Sequence, residues 1–99
     1  MAEQFDLYRD PEGGLFLVLQ NEAVDTLDTR IFASCLPARA ISVGMQTLAV
    51  PFVFGDRDYC VMVHLHGTAR LGRMGEKVGN LSHLRDEITR ALDLLYSGI

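Results

Sequence analysis

The sequence predicts a mainly β domain, in which five or six short antiparallel strands form a small closed or strongly curved sheet and one C-terminal α-helix docks on it. Three observations predict this. Short apolar runs recur along the first two thirds of the chain, at residues 4–9, 15–20, 30–36, 48–54 and 59–65. Two of the breaks between them, Asp10-Pro11-Glu12-Gly13-Gly14 and Gly55-Asp56-Arg57-Asp58, carry hairpin-turn chemistry. Only the last stretch, residues 75–99 (GEKVGNLSHLRDEITRALDLLYSGI), has the apolar period of a helix.

Each element follows from its residues. In 4–9 (QFDLYR), Phe5 and Leu7 alternate with Gln4 and Asp6, the pattern of a half-buried strand. Pro11 presets φ for the turn that follows, and the glycines after it tolerate positive φ. Residues 15–20 (LFLVLQ) are almost continuously apolar, as in a strand buried on both faces. Residues 21–29 (NEAVDTLDT) are polar and read as a loop. Residues 30–36 (RIFASCL) form a strand that Pro37 ends. Residues 38–46 have weak periodicity, broken by Gly44, and fit a short helical turn or an irregular strand equally well. The runs LAVPFVF (48–54) and YCVMVHL (59–65) are the clearest hairpin, with Pro51 marking an edge position or a bulge. Residues 66–74 suggest a short turn and a last strand over 69–74.

The helix is expected over about 82–97. Ser82 is its expected N-cap, Asp86 and Glu87 complement its dipole, and Gly98 suits the position after its end. At 100° per residue, Leu84, Ile88, Ala91, Leu92, Leu95 and Ile99 form one stripe, which Leu94 and Tyr96 widen to more than half the circumference over the last two turns. Such an arc suits packing against both a sheet and a second subunit. Asp86, Thr89, Arg90, Asp93 and Ser97 share the solvent face.

Composition bounds the function. Ninety-nine residues make one domain spanning 1–99. A net charge of −4 and a pI near 5.2 disfavour non-specific nucleic-acid binding, which needs Lys and Arg against phosphates. No apolar run reaches the ~18 residues of a membrane helix, and the acidic start MAEQFDLYRD is not a secretory leader. Cys35 and Cys60 sit in apolar runs and read as two free buried thiols rather than a disulfide, which points to the cell interior.

Candidate chemistry is sparse. His64 and His66 have strand-face ligand spacing, but no third ligand is marked, so no metal site is expected. The cysteines lack the electropositive, exposed setting of a nucleophile. The glycines match no phosphate loop. Arg70 and Arg73, with His64 or His66, have the residue types of an RNA-cleaving site, in which a base takes the 2′-OH proton and a cation stabilises the phosphorane. No cofactor is expected and no catalytic residue is assigned.

The skeleton Gly75-Glu76, Val78, Leu81-Ser82-His83, Ile88, Ala91, Leu94 and Gly98-Ile99 resembles the C-terminus of the CcdB family, the toxin half of toxin–antitoxin pairs. Gln4-Phe5, Leu15-Phe16, the segment 20–26, Arg30, Leu36, Pro51 and Gly55-Asp56 extend the resemblance over essentially the full length. It implies an SH3-like antiparallel barrel with a small extra sheet and one C-terminal helix, assembled as a homodimer through the ends of its helices (Leu94, Leu95, Tyr96 and Ile99). It implies a cytoplasmic bacterial toxin that is not an enzyme, binds the GyrA subunit of DNA gyrase, and traps the enzyme on cleaved DNA. It also implies a CcdA-like antitoxin whose disordered segment wraps the toxin, with no direct nucleic-acid or membrane contact by the toxin.

The gyrase-contacting positions that the resemblance carries over are Gln4, Phe5, Ala23, Val24, Asp93, Ser97, Gly98 and Ile99. Ala23 and Val24 replace isoleucines. Asp93 stands where better-known members have asparagine, and Ser97 stands where they have tryptophan. An aromatic stacked on a guanidinium is a typical hot spot, so its loss is expected to cost ~2 kcal/mol or more. Two alternative expectations stand beside the main one: a retained fold that mainly binds antitoxin, and an RNA-cleaving toxin of the MazF/Kid type.

Overall fold

The computed structural model describes residues 3–19, 29–42, 44, 48–70 and 73–97. Six strands, β1 (Asp6–Arg9), β2 (Leu15–Val18), β3 (Thr29–Pro37), β4 (Ala49–Phe54), β5 (Arg57–Arg70) and β6 (Glu76–Asn80), precede one helix, α1 (Arg85–Ser97). They form a single antiparallel sheet in the order β4-β5-β3-β2-β1-β6, curled into a half-barrel of the SH3-like kind. Among the described residues no second sheet stands apart from it. The small extra sheet expected from the resemblance takes the form of an extension, in which residues 29–33 of β3 pair with residues 66–70 of β5.

Both predicted hairpins are present. The first turn is closed by Asp10, whose Oδ1 accepts the N–H groups of Glu12 and Gly14, each at 2.9 Å. That locks Arg9 opposite Leu15. The second is tighter than expected. Phe54 pairs with Arg57, leaving only Gly55 and Asp56 in the turn, with Gly55 at φ 62. Pro51 lies on β4, an outer strand of the sheet, where its missing N–H costs least.

Four expectations are corrected. β1 begins at Asp6 rather than Gln4, because Gln4 and Phe5 form a turn and Phe5 adopts φ 69. β5 does not stop at Leu65 but continues to Arg70, carried past a break in its ladder: Ala33 faces His66 while Ser34 faces Met62. The last strand is not 69–74 but β6, paired with β1. Ser82 is not the helix N-cap. It opens a 3₁₀ turn (Ser82–Leu84) ahead of α1, and its N–H is taken by Oδ1 of Asn80 at 2.8 Å. Of the segment 38–46, Ala38–Ala40 is a 3₁₀ turn, the helical option. The expected loop over 21–28 lies outside the described residues.

The core lies between the sheet's concave face and α1. Phe5, Leu7, Leu17, Ala33, Val61, Val63 and Ile88 are its centre, all nearly inaccessible. Alternation along the strands sends Val18 to the opposite face, where it meets Met74 with Tyr8 and Ala69 against them. The helical period predicted α1 correctly: Ile88 and Ala91 are buried, Leu84 and Leu92 are partly buried against the core, and Asp86, Thr89, Arg90, Asp93 and Ser97 are exposed. Burial of Ile88 alone contributes roughly 2–3 kcal/mol to docking the helix. Cys35 and Cys60 are both free and buried. No described helix is long and apolar enough to cross a membrane.

Candidate functional site

The exposed end of α1 is the first part of the site. Asp93 and Ser97 are one turn apart on the same face, and the Ser97 hydroxyl donates to the Asp93 backbone carbonyl at 2.6 Å. That bond satisfies the hydroxyl within the helix and keeps it close to the helix surface. Both residues line a groove of about 640 Å³ between α1 and the outer strand β4. Ala49, Val50 and Pro51 form its strand wall, Ala91 and Leu94 its apolar helix wall, and Glu87, Arg90 and Asp93 its charged rim. The strand wall was missed in the sequence, where Pro51 carried only a backbone signal.

The second part surrounds Gln4 and Phe5. Phe5 is only 2% exposed, so its ring belongs to the core and presents no surface of its own. Its backbone is fastened on both sides: its N–H donates to Val18 O and its carbonyl accepts from Leu81 N–H, each at 2.7 Å. Its left-handed φ of 69 is costly for a phenylalanine and is held by those bonds. The Gln4 carboxamide works at both ends, with Nε2 donating to Leu19 O at 3.2 Å and Oε1 accepting from Arg85 Nη1 at 3.3 Å. The Arg85 guanidinium lies over the Phe5 ring, 5.0 Å from its centroid. Arg85 joins positions 81 residues apart, and no local pattern in the sequence marks it.

The two parts are separate within one chain. Gln4 and Phe5 meet the first turn of α1, and Asp93 lies eight residues further, roughly 12 Å along the axis at ~1.5 Å per residue. Ala23, Val24, Gly98 and Ile99 lie outside the described residues. Of the positions assigned to a dimer seam, Leu94 and Leu95 are half-buried and Tyr96 is 71% exposed. The Tyr96 hydroxyl is 3.4 Å from His66 Nε2, and His66 Nδ1 is 3.1 Å from Val63 O. A carbonyl only accepts, so Nδ1 carries the proton, and in the neutral ring Nε2 accepts from Tyr96.

The remaining reactive groups do not converge. Among the described residues His64 Nδ1 is buried without a partner, whereas the His66 ring is held on both nitrogens. His66 and Arg70 are four residues apart on one strand, roughly 13 Å at ~3.3 Å per residue. Arg73 lines a small cavity with Phe16, Phe32 and Met74 on the sheet face away from α1. Burial pushes the Cys35 thiol up to about 12 and raises Cys60, with Asp58 adding to the latter, so both stay protonated and unreactive near neutral pH. Among the described residues no three His, Cys, Asp or Glu side chains gather as metal ligands.

Comparison with known proteins gives one family and one fold. A family model described as CcdB protein matches residues 4–98. An endoribonuclease from mycobacterial species superposes with a TM-score of 0.77 at 15% identity, covering 97% of this chain and 91% of that one. A mycobacterial endoribonuclease in complex with its cognate antitoxin gives 0.77 at 13% identity, with 98% and 96% covered. The Mycobacterium tuberculosis toxin MazF-mt6 gives 0.62 at 17% identity, with 92% and 97% covered. At these identities the likeness is one of fold.

Proposed function

The chain belongs to the CcdB family of toxins, and on that premise we propose that it inhibits DNA gyrase by docking the C-terminal end of α1 on the GyrA subunit. The observation that carries this reading is the placement of Asp93 and Ser97. They form one exposed patch on the rim of an apolar-walled groove, a surface made for contact rather than for bond-breaking. The Asp93 carboxylate offers a charge-assisted bond to an arginine of the target, in part replacing the stacking a tryptophan would supply at position 97. Gln4 contributes from the other end of the helix, and Phe5 serves as its support. Ala23, Val24, Gly98 and Ile99 complete the proposed contact.

The active species is a homodimer seamed by Leu94, Leu95, Tyr96 and Ile99, which would bring two helix ends side by side. Its antagonist is a CcdA-like antitoxin that folds as it binds. The fold shared with endoribonucleases supports a second reading, RNA cleavage, although the His66 and Arg70 side chains that would serve it do not converge. One experiment separates the readings. Purified protein is added to gyrase, supercoiled plasmid and ATP, and in parallel to RNA alone. Gyrase-dependent linear DNA is the expected result. RNA cleaved without gyrase overturns the gyrase reading, and neither activity leaves antitoxin binding as the function.

A further inference from the structure

We infer that Arg85 is a partner-anchoring residue, holding its guanidinium ready for a carboxylate on the protein target. The inference rests on the gyrase reading and adds to it a contact that the family's motif does not supply. Three observations carry it. The guanidinium lies over the Phe5 ring at 5.0 Å, so one of its faces is fixed. One edge is fixed too, by the 3.3 Å bond to Gln4 Oε1, and Gln4 is itself tied to Leu19. Arg85 is nevertheless exposed, and among the described residues no carboxylate pairs with it.

An exposed arginine is normally a mobile, hydrated cation whose ordering opposes binding. Here part of that ordering cost is met within the chain, by a buried aromatic platform held in a left-handed backbone conformation and by the Gln4 carboxamide. Such an outlier, fastened by two 2.7 Å backbone bonds, marks a place where the fold maintains a shape for use. The donors left over match the two oxygens of a carboxylate. The surroundings choose between anions. Asp86 and Glu87 follow directly on the same helix and are exposed, so an extended polyanion such as nucleic acid would be repelled far more than a single carboxylate that meets Arg85 alone.

The test measures binding of purified GyrA to the wild-type protein and to Arg85→Ala, Arg85→Lys and Arg85→Glu, with Arg39→Ala as a distant control. Arg85→Ala is expected to weaken binding by about tenfold or more and Arg85→Glu further, with Arg85→Lys between wild type and Arg85→Ala because it keeps charge but not the fork. The loss should shrink as salt rises, a change that a merely structural role would not produce. Phe5→Leu, which removes the platform but keeps an apolar core residue, should also weaken binding and should broaden the Arg85 Nε–H resonance in the free protein. If the wild type binds and Arg85→Ala binds equally well, the anchoring role is overturned alone. If the wild type does not bind GyrA, the gyrase reading falls and the anchor falls with it.

Discussion

The ammonium of Lys77 lies 3.3 Å from Oδ1 of Asp6, a carboxylate with no exposed surface. The same carboxylate accepts the Asn80 side-chain amide and the Glu3 backbone N–H, each at 2.8 Å. Asp6 thus fastens the N-terminal turn and both ends of β6 to β1. Asp6→Ala would remove the buried acceptor that joins these three groups and should destabilise by about 1–3 kcal/mol. Urea denaturation would measure it. Lys77→Met should change the midpoint less, since Lys77 is half exposed and Asp6 keeps its bonds from Asn80 and Glu3.

Stability should fall on the alkaline side. Burial holds the protons on Cys35, up to about 12, and raises Cys60 and Tyr8, the latter helped by Asp6. The unfolded chain releases those protons at ordinary values, so it is favoured as pH rises from about 9. Lys77 adds in the same direction. Its hydrogen bond to Asp6 raises it, so its contribution is full below the ordinary lysine value and is lost as pH rises through the raised one. Denaturation midpoints should therefore decline steadily between about pH 9 and 12. Cys35→Ala should flatten that decline, though it starts from a lower midpoint because a core atom is gone. An unchanged slope would show that Cys35 does not contribute.

Gly75 and Gly55 both have positive φ, at 90 and 62, yet they should respond differently to substitution. A Cβ on Gly75 would overlap the Arg9 carbonyl oxygen, whereas one on Gly55 meets nothing. Gly75→Ala should cost at least about 2 kcal/mol, combining strain with a clash, and Gly55→Asn about 1 kcal/mol or less. Thermal denaturation of the pair checks the difference.

Restoring an aromatic at the tip of the helix tests the docking proposal from the other direction. Ser97→Trp should strengthen gyrase inhibition by roughly tenfold or more, because a ring over a guanidinium is worth ~2 kcal/mol in a hot spot. Asp93→Asn should weaken inhibition in the native Ser97 background if the carboxylate pairs with an arginine. Both are read from the concentration that halves supercoiling.

Some of this was legible in the sequence because each signal was local. The 48–54/59–65 hairpin had a turn and two apolar runs, and the exposed face of α1 followed from its 3.6-residue period, which placed Asp93 and Ser97 together. β6 was illegible for the opposite reason. Glu76, Lys77 and Gly79 carry no strand pattern, and the segment is a strand only because β1 offers it a ladder and Asp6 a charge partner. The length of β5 was hidden by the ladder break beside Val63–Leu65, which interrupts alternation without ending the strand. Phe5 read as an alternating strand residue, while its actual conformation is imposed by Val18 and Leu81, both distant in the chain. The contact of Arg85 with Gln4 depends on the same closure.

The sheet's two outer strands also limit how copies of the chain can join. β4 carries Pro51, which has no N–H to offer a neighbour, and β6 is short, polar and charged. Neither is a template for another strand, so ladder-to-ladder growth into open filaments is blocked at both ends. Association is left to side-chain surfaces, and a self-complementary surface closes on itself after two copies. The chain is thereby kept from locking itself into fibres.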